Sequence, residues 1–231
     1  STDQTHVFRG VMGLVVPDPD TVARRLGRLI ERFEPMAGSL AGCEAIDDGY
    51  LVTCPWGNRF RIHRPTDLEA PIIGMPYVEV TTAPGTAAGI AAFYREVLGA
   101  VSHVDDHGGK PRAVVAVGRH QHLYFAETDD AIPDYDGHHI AVYLHNFSGP
   151  YQWLLERELI SRETDDHEYR FTDIVEPETG RVCAVLEHEV RSMFHPMFGR
   201  ELVNRHPGQG IGLRYKPGHD VQPGLHSSGV G

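Results

Sequence analysis

The chain has 231 residues, 41% hydrophobic and 23% charged, which suits a folded core and excludes wholesale disorder. With 21 Lys and Arg against 32 Asp and Glu, its net charge of −11 repels phosphate backbones, so nucleic acid is not an expected partner. No apolar run reaches the roughly 18 to 20 residues that span a bilayer, and Cys43, Cys54 and Cys183 are too few and scattered for a disulfide scaffold. A cytoplasmic protein with reduced thiols and no membrane partner is expected.

The chain then reads as three units with a period of about sixty residues. The first opens with the strand 11–16 (VMGLVV) and continues into a helix over 21–33, with Val22, Leu26, Leu29, Ile30 and Phe33 on one stripe. It closes with the hairpin 50–63, turning at PWGN. The second unit starts at strand 77–82 (YVEVTT) and has a helix N-capped by Thr86, whose buried stripe is Ile90, Phe93, Tyr94, Val97 and Leu98. Gly99 ends that helix, and strands follow over 100–104, 113–117 and 120–126. The third unit repeats the plan with strand 139–144, a helix after Ser148, strand 169–175, a turn at 176–180 and strand 182–189.

Each unit reads strand, helix, strand, strand, strand, an α+β plan in which the helix covers one sheet face and leaves the other open. The short polar linker 128–137 suggests units two and three as the natural pair. Residues 1–70 then form a degenerate module, 71–191 a pair (about 76–128 and 137–191) holding the site, and 192–231 an extension whose last ten or so residues are expected to be disordered. The chain has 15 His, and imidazole is the commonest protein metal ligand. His103, His107 and His167 sit beside Asp in expected turns and read as solvated. Only histidines on strands are ligand candidates.

The strings FYREVLG at 93–99 and GHHIAVY at 137–143, with the glycine-bounded final hairpins, resemble the βαβββ modules of the vicinal oxygen chelate superfamily. That superfamily includes glyoxalases, extradiol dioxygenases, bleomycin-resistance proteins, epimerases and fosfomycin-modifying enzymes. The resemblance implies paired modules forming an open barrel around a concave site. One divalent ion (Fe, Mn, Ni, Co or Zn) would be held by residues of the first and last strands of each module. Carried over, the first-strand position of unit two falls on Glu79, with Tyr77 on the same face as the alternative, and the last-strand position on His122. In unit three they fall on His139, with His138 as the alternative, and on Glu187, whose face Glu189 shares.

Strand alternation agrees in part, since Leu123 and Phe125 can face the helix while His122 and Tyr124 face the cavity. Counting from Gly180 puts Ala184 at the ligand position, which departs from the family. The implied metal set is His122, His139 and Glu187, with Glu79 as fourth ligand or general base, and Glu79, Tyr124 and His195 are the candidate catalytic residues. Unit one has Val11 at its ligand position and Arg61 and His63 on its last strand, so it reads as structural, with the Arg an anion binder. Arg191 and Arg200 in the basic tail would bind a carboxylate substrate if the tail folds over the site; otherwise the tail is solvated or a dimer contact.

Two functions compete. One is a metal-dependent dioxygenase, isomerase or lyase acting on a small oxygenated organic substrate. The other is a metal-free small-molecule binding or sequestering protein of the bleomycin-resistance type. A homodimer is the expected assembly.

Overall fold

The computed structural model describes residues 5–33, 38–65, 73–164 and 167–198. Three βαβββ repeats follow one another. The first holds β1 (Gly10–Val15), α1 (Pro19–Arg32), β2 (Gly42–Ile46), β3 (Gly49–Thr53) and β4 (Arg59–His63). The second holds β5 (Gly74–Thr82), α2 (Ala87–Glu96), β6 (Ser102–His107), β7 (Lys110–Gly118) and β8 (Gln121–Glu127). The third holds β9 (His139–Leu144), α3 (Ser148–Leu155), β10 (Ile160–Thr164), β11 (Glu168–Val175) and β12 (Val182–Ser192).

The architecture is α+β, with an eight-stranded sheet in the order β2-β3-β4-β1-β5-β8-β7-β6 and a four-stranded sheet in the order β10-β11-β12-β9. In each of the first two repeats the first strand runs parallel to the last, β1 to β4 and β5 to β8. The repeats then meet through antiparallel β1 and β5, where Gly13 stands opposite Tyr77. A Cβ at Gly13 would lie 2.4 Å from the Tyr77 ring, so only glycine lets that ring lie flat over β1.

This seam joins units one and two, where the sequence points to two and three. Seam formation depends on main-chain edges and small residues such as Gly13, which linker length and polarity do not reveal.

The chain divides into two compact units, Ser1–Ile140 with Thr172–Glu187, and Ala141–Phe171 with His188–Gly231. In the first, Ile90, Phe93 and Tyr94 of α2 are buried with Leu123 and Phe125 of β8 and Ala113 and Val115 of β7. The second buries Leu154, Tyr169, Phe171 and Val190, and His188 stacks on Phe171 with centroids 4.4 Å apart.

Thr86 stands at the N-cap of α2 as expected, but its hydroxyl donates to Ala83 O and makes no capping bond. The cap comes from Glu127, whose Oε1 accepts from the amides of Thr86 (2.9 Å) and Ala87 (2.8 Å). Gly99 has φ +72°, as a helix terminator requires. All three cysteines are free. Among the described residues no helix is long and apolar enough to cross a membrane.

Candidate functional site on the open sheet face

Alternation along the central strands decides what the open face displays. Val80, Leu123 and Phe125 point to the α2 side and are buried. Their neighbours Tyr77, Glu79, His122 and Tyr124 therefore share the opposite face, with Tyr77 paired to His122 and Glu79 to Tyr124 across β5 and β8. Arg112 joins them from β7, two residues before Val114, the partner of Tyr124.

Arg112 organises this face. Asp105 accepts from its Nε (3.1 Å) and Nη2 (2.6 Å), Glu79 Oε2 lies 3.7 Å from its Nη1, and its guanidinium sits 4.2 Å from the Tyr124 ring centroid. The hydrogen bonds from Arg112 hold the Asp105 carboxyl below its ordinary range, against a smaller desolvation effect. His122 lies parallel to Tyr124, 9° between planes and 5.7 Å between centroids. Burial lowers the proton affinity of His122, and through-space interactions with His103, Arg112 and His120 lower it further.

On the other side of the seam, buried His63 of β4 lies between Asp48, 3.3 Å from its Nδ1, and the Tyr77 hydroxyl, 2.8 Å from its Nε2. His63 Nδ1 faces the carboxylate, and Nε2 shares a hydrogen bond with the phenol whose direction follows the imidazole tautomer. Burial raises the Tyr77 phenol to about 12, so it stays protonated at neutral pH. Tyr77 is thus a fixed wall, while the Tyr124 hydroxyl makes no hydrogen bond among the described residues and is free to meet a ligand.

The structure brings Glu79, His122 and Tyr124 together on one face of the eight-stranded sheet. His139 and Glu187 lie on β9 and β12 of the four-stranded sheet. His139 is exposed, whereas the side chain of His138 is only 10% exposed, with Nδ1 2.6 Å from Asp136 Oδ1. The Glu187 amide donates to the Tyr135 hydroxyl at 3.1 Å. Glu189 is buried in the second compact unit, bonded to Arg170 and Arg191. Arg191 also donates to the Tyr143 hydroxyl at 3.2 Å, and His195 Nε2 lies 3.5 Å from Glu168. Arg191 and His195 therefore belong to a buried ionic network. Arg200 lies outside the described residues.

No family model and no curated protein matches the sequence. Solved structures do match. Glyoxalase I from Zea mays superposes with a TM-score of 0.51 at 13% identity, over 79% of this chain and 66% of that one. A glyoxalase I mutant from Zea mays gives 0.50 at 14% identity, over 83% and 72%. The chain carries the vicinal oxygen chelate fold. It spans about two thirds of the length of the Zea mays glyoxalase I chain.

The vicinal oxygen chelate fold implies a divalent metal at the first and last strands of a module pair, and the residues present do not fit one. The pair β1, β4, β5, β8 offers Val11, Arg61 or His63, Tyr77 or Glu79, and His122 or Tyr124. His63 and Tyr77 are committed to each other, and the Glu79 carboxylate faces Arg112. Arg112, a permanent cation whose charge also acts on His122, would repel a dication there. Among the described residues no three His, Cys, Asp or Glu side chains are grouped as a metal site requires. The sequence does not single out Arg112 and Asp105, and it marks His63 only as a structural residue of unit one. The alternation RAVVAV over 112–117 places Arg112 with Val114 and would have found it.

Proposed function

We propose that the open face of the eight-stranded sheet binds a small oxygenated organic molecule without a metal, in the manner of a binding or sequestering protein. The observation that carries this reading is the stacked His122–Tyr124 pair backed by Arg112. It offers a flat aromatic surface, a hydroxyl and an imidazole to a ligand's ring or vicinal oxygens, beside a guanidinium that already faces Glu79, the carboxylate a metal site would use. Asp105 and Glu79 fix the guanidinium, so the surface is ordered before a ligand arrives. The metal-dependent dioxygenase, isomerase or lyase reading has less support for the same reason, since the Glu79 carboxylate it would use faces Arg112.

The test is ligand-detected NMR and calorimetry with catechol, aliphatic vicinal diols and 2-hydroxy ketones. Saturable binding is expected in wild type, weakened about tenfold or more in Tyr124→Ala, with the ligand recovered chemically unchanged. Conversion of the ligand, or binding that requires an added divalent ion, would overturn the reading.

A further inference from the structure

A second candidate site lies away from the His122–Tyr124 pair. Within the first compact unit a cavity of about 350 Å³ opens between the segment before β1, the end of β5, the loop 132–135 and the start of β12. Its size, at the low end for ligand pockets, admits on the order of ten non-hydrogen atoms.

Two polar groups in its wall have donors with nothing to receive them. Arg9 is anchored at its main chain, where its carbonyl accepts from Thr81 N at 2.9 Å, and its guanidinium lies over the Tyr135 ring at 5.3 Å. Its Nη1 and Nη2 donate to main-chain carbonyls, Pro133 O at 3.4 Å and Val185 O at 2.5 Å. Nε is buried and has no partner among the described residues. Thr82, 3% exposed, leaves its Oγ1 equally unpartnered. A buried donor left unpaired costs about 1–3 kcal/mol, so two in one cavity point to an acceptor that fills it. The cation is held by carbonyls, which do not neutralise it, while Asp134 and Asp136 act on it through space. Asp136 is itself committed to Val7 N and His138.

We propose that this cavity binds a small organic monocarboxylate, whose oxygens accept hydrogen bonds from Arg9 Nε and Thr82 Oγ1. A single cation with Asp134 in the same wall favours one negative charge over two. Ile132, Pro133, Ala184 and Val185 give the rest of the wall an apolar character that suits a hydrocarbon body. Cys183 belongs to that apolar part, because burial raises its thiol and keeps it protonated. The site is independent of the ligand proposed for the sheet face.

The experiment is calorimetric titration of the full chain with benzoate, butanoate and orthophosphate, in wild type, Thr82→Val, Arg9→Lys and Arg112→Gln. Both carboxylates are expected to bind wild type saturably and about tenfold or more weaker in Thr82→Val. That variant keeps the shape of the side chain and removes only a hydroxyl without a partner, so it should fold even if Arg9→Lys does not. Three results would overturn the proposal: no saturable carboxylate binding, affinity unchanged in Thr82→Val, or orthophosphate displacing both carboxylates. Binding lost in Arg112→Gln and retained in Thr82→Val would also overturn it, placing the anion on the sheet face. Conversely, carboxylates that depend on Thr82 in a protein that ignores diols would remove only the sheet-face reading.

Discussion

Arg112 shows how one side chain decides the chemistry of a face. Its side chain is 14% exposed and that of Glu79 is 16%, so removing the cation leaves a largely buried carboxylate uncompensated. Arg112→Gln should therefore lower stability by about 1–3 kcal/mol at neutral pH, read as a shift in urea midpoint. Asp105 has its folded pKa depressed by Arg112, so its contribution is present above the ordinary carboxylate range and lost as pH falls through the folded value. The cost of Arg112→Gln should shrink below about pH 4; a cost that stays constant would remove the ion-pair account. His122 is also depressed, but as a base. The unfolded chain takes up its proton near pH 6.5 while the folded chain does not, so stability falls as pH drops from there through the lower folded value. His122→Gln should flatten that part of the pH–stability curve. An unaltered slope would show that His122 titrates normally.

Elements were legible in the sequence where burial imposed a period, and illegible where it did not. α2 and α3 were found close to their positions because Ile90, Phe93 and Leu154 pack to zero exposure. β2 and β10 went unread. Both are edge strands with no fully buried residue, so neither carries an alternation to detect. Thr86 is the N-cap of α2 as the sequence indicates, but the capping carboxylate of Glu127 arrives from β8, distant in sequence, and leaves no local signal. Glu127→Ala should cost about 1–2 kcal/mol, and Glu127→Gln, which keeps an acceptor, should recover part of it; equal losses would mean the carboxylate is not capping. Gly89 tests the packing of α2 against β12. A Cβ there would stand 2.6 Å from Cys183 Sγ, so Gly89→Ala should destabilise by about 1–3 kcal/mol despite its better helix propensity. The same change made in Cys183→Ala should cost less, and a double-mutant cycle without coupling would exclude that contact.

For the whole molecule, the sequence made the repeat plain and concealed which repeats share a sheet. A residue can be assigned to a module position by counting, but a metal site needs positions from two paired modules. Pairing unit one with unit two replaces His139 and Glu187 by Val11 and Arg61 or His63 around Glu79 and His122. The result is a face where Arg112 engages the Glu79 carboxylate and His63 is engaged by Tyr77 and Asp48, so the donors a divalent ion would use already have partners. A resident metal contributes its binding energy to folding, so its removal lowers the melting temperature. Dialysis against a chelator should leave the melting temperature of this protein unchanged, and added Zn, Ni, Mn, Co or Fe(II) should not raise it. The control is His122→Ala, since nonspecific binding to the protein's 15 histidines would persist in that variant. One equivalent of metal retained by wild type, lost on chelation with a fall in melting temperature and absent from His122→Ala, would restore the metal-dependent reading. It would also require Arg112 to swing away from Glu79 in the loaded protein.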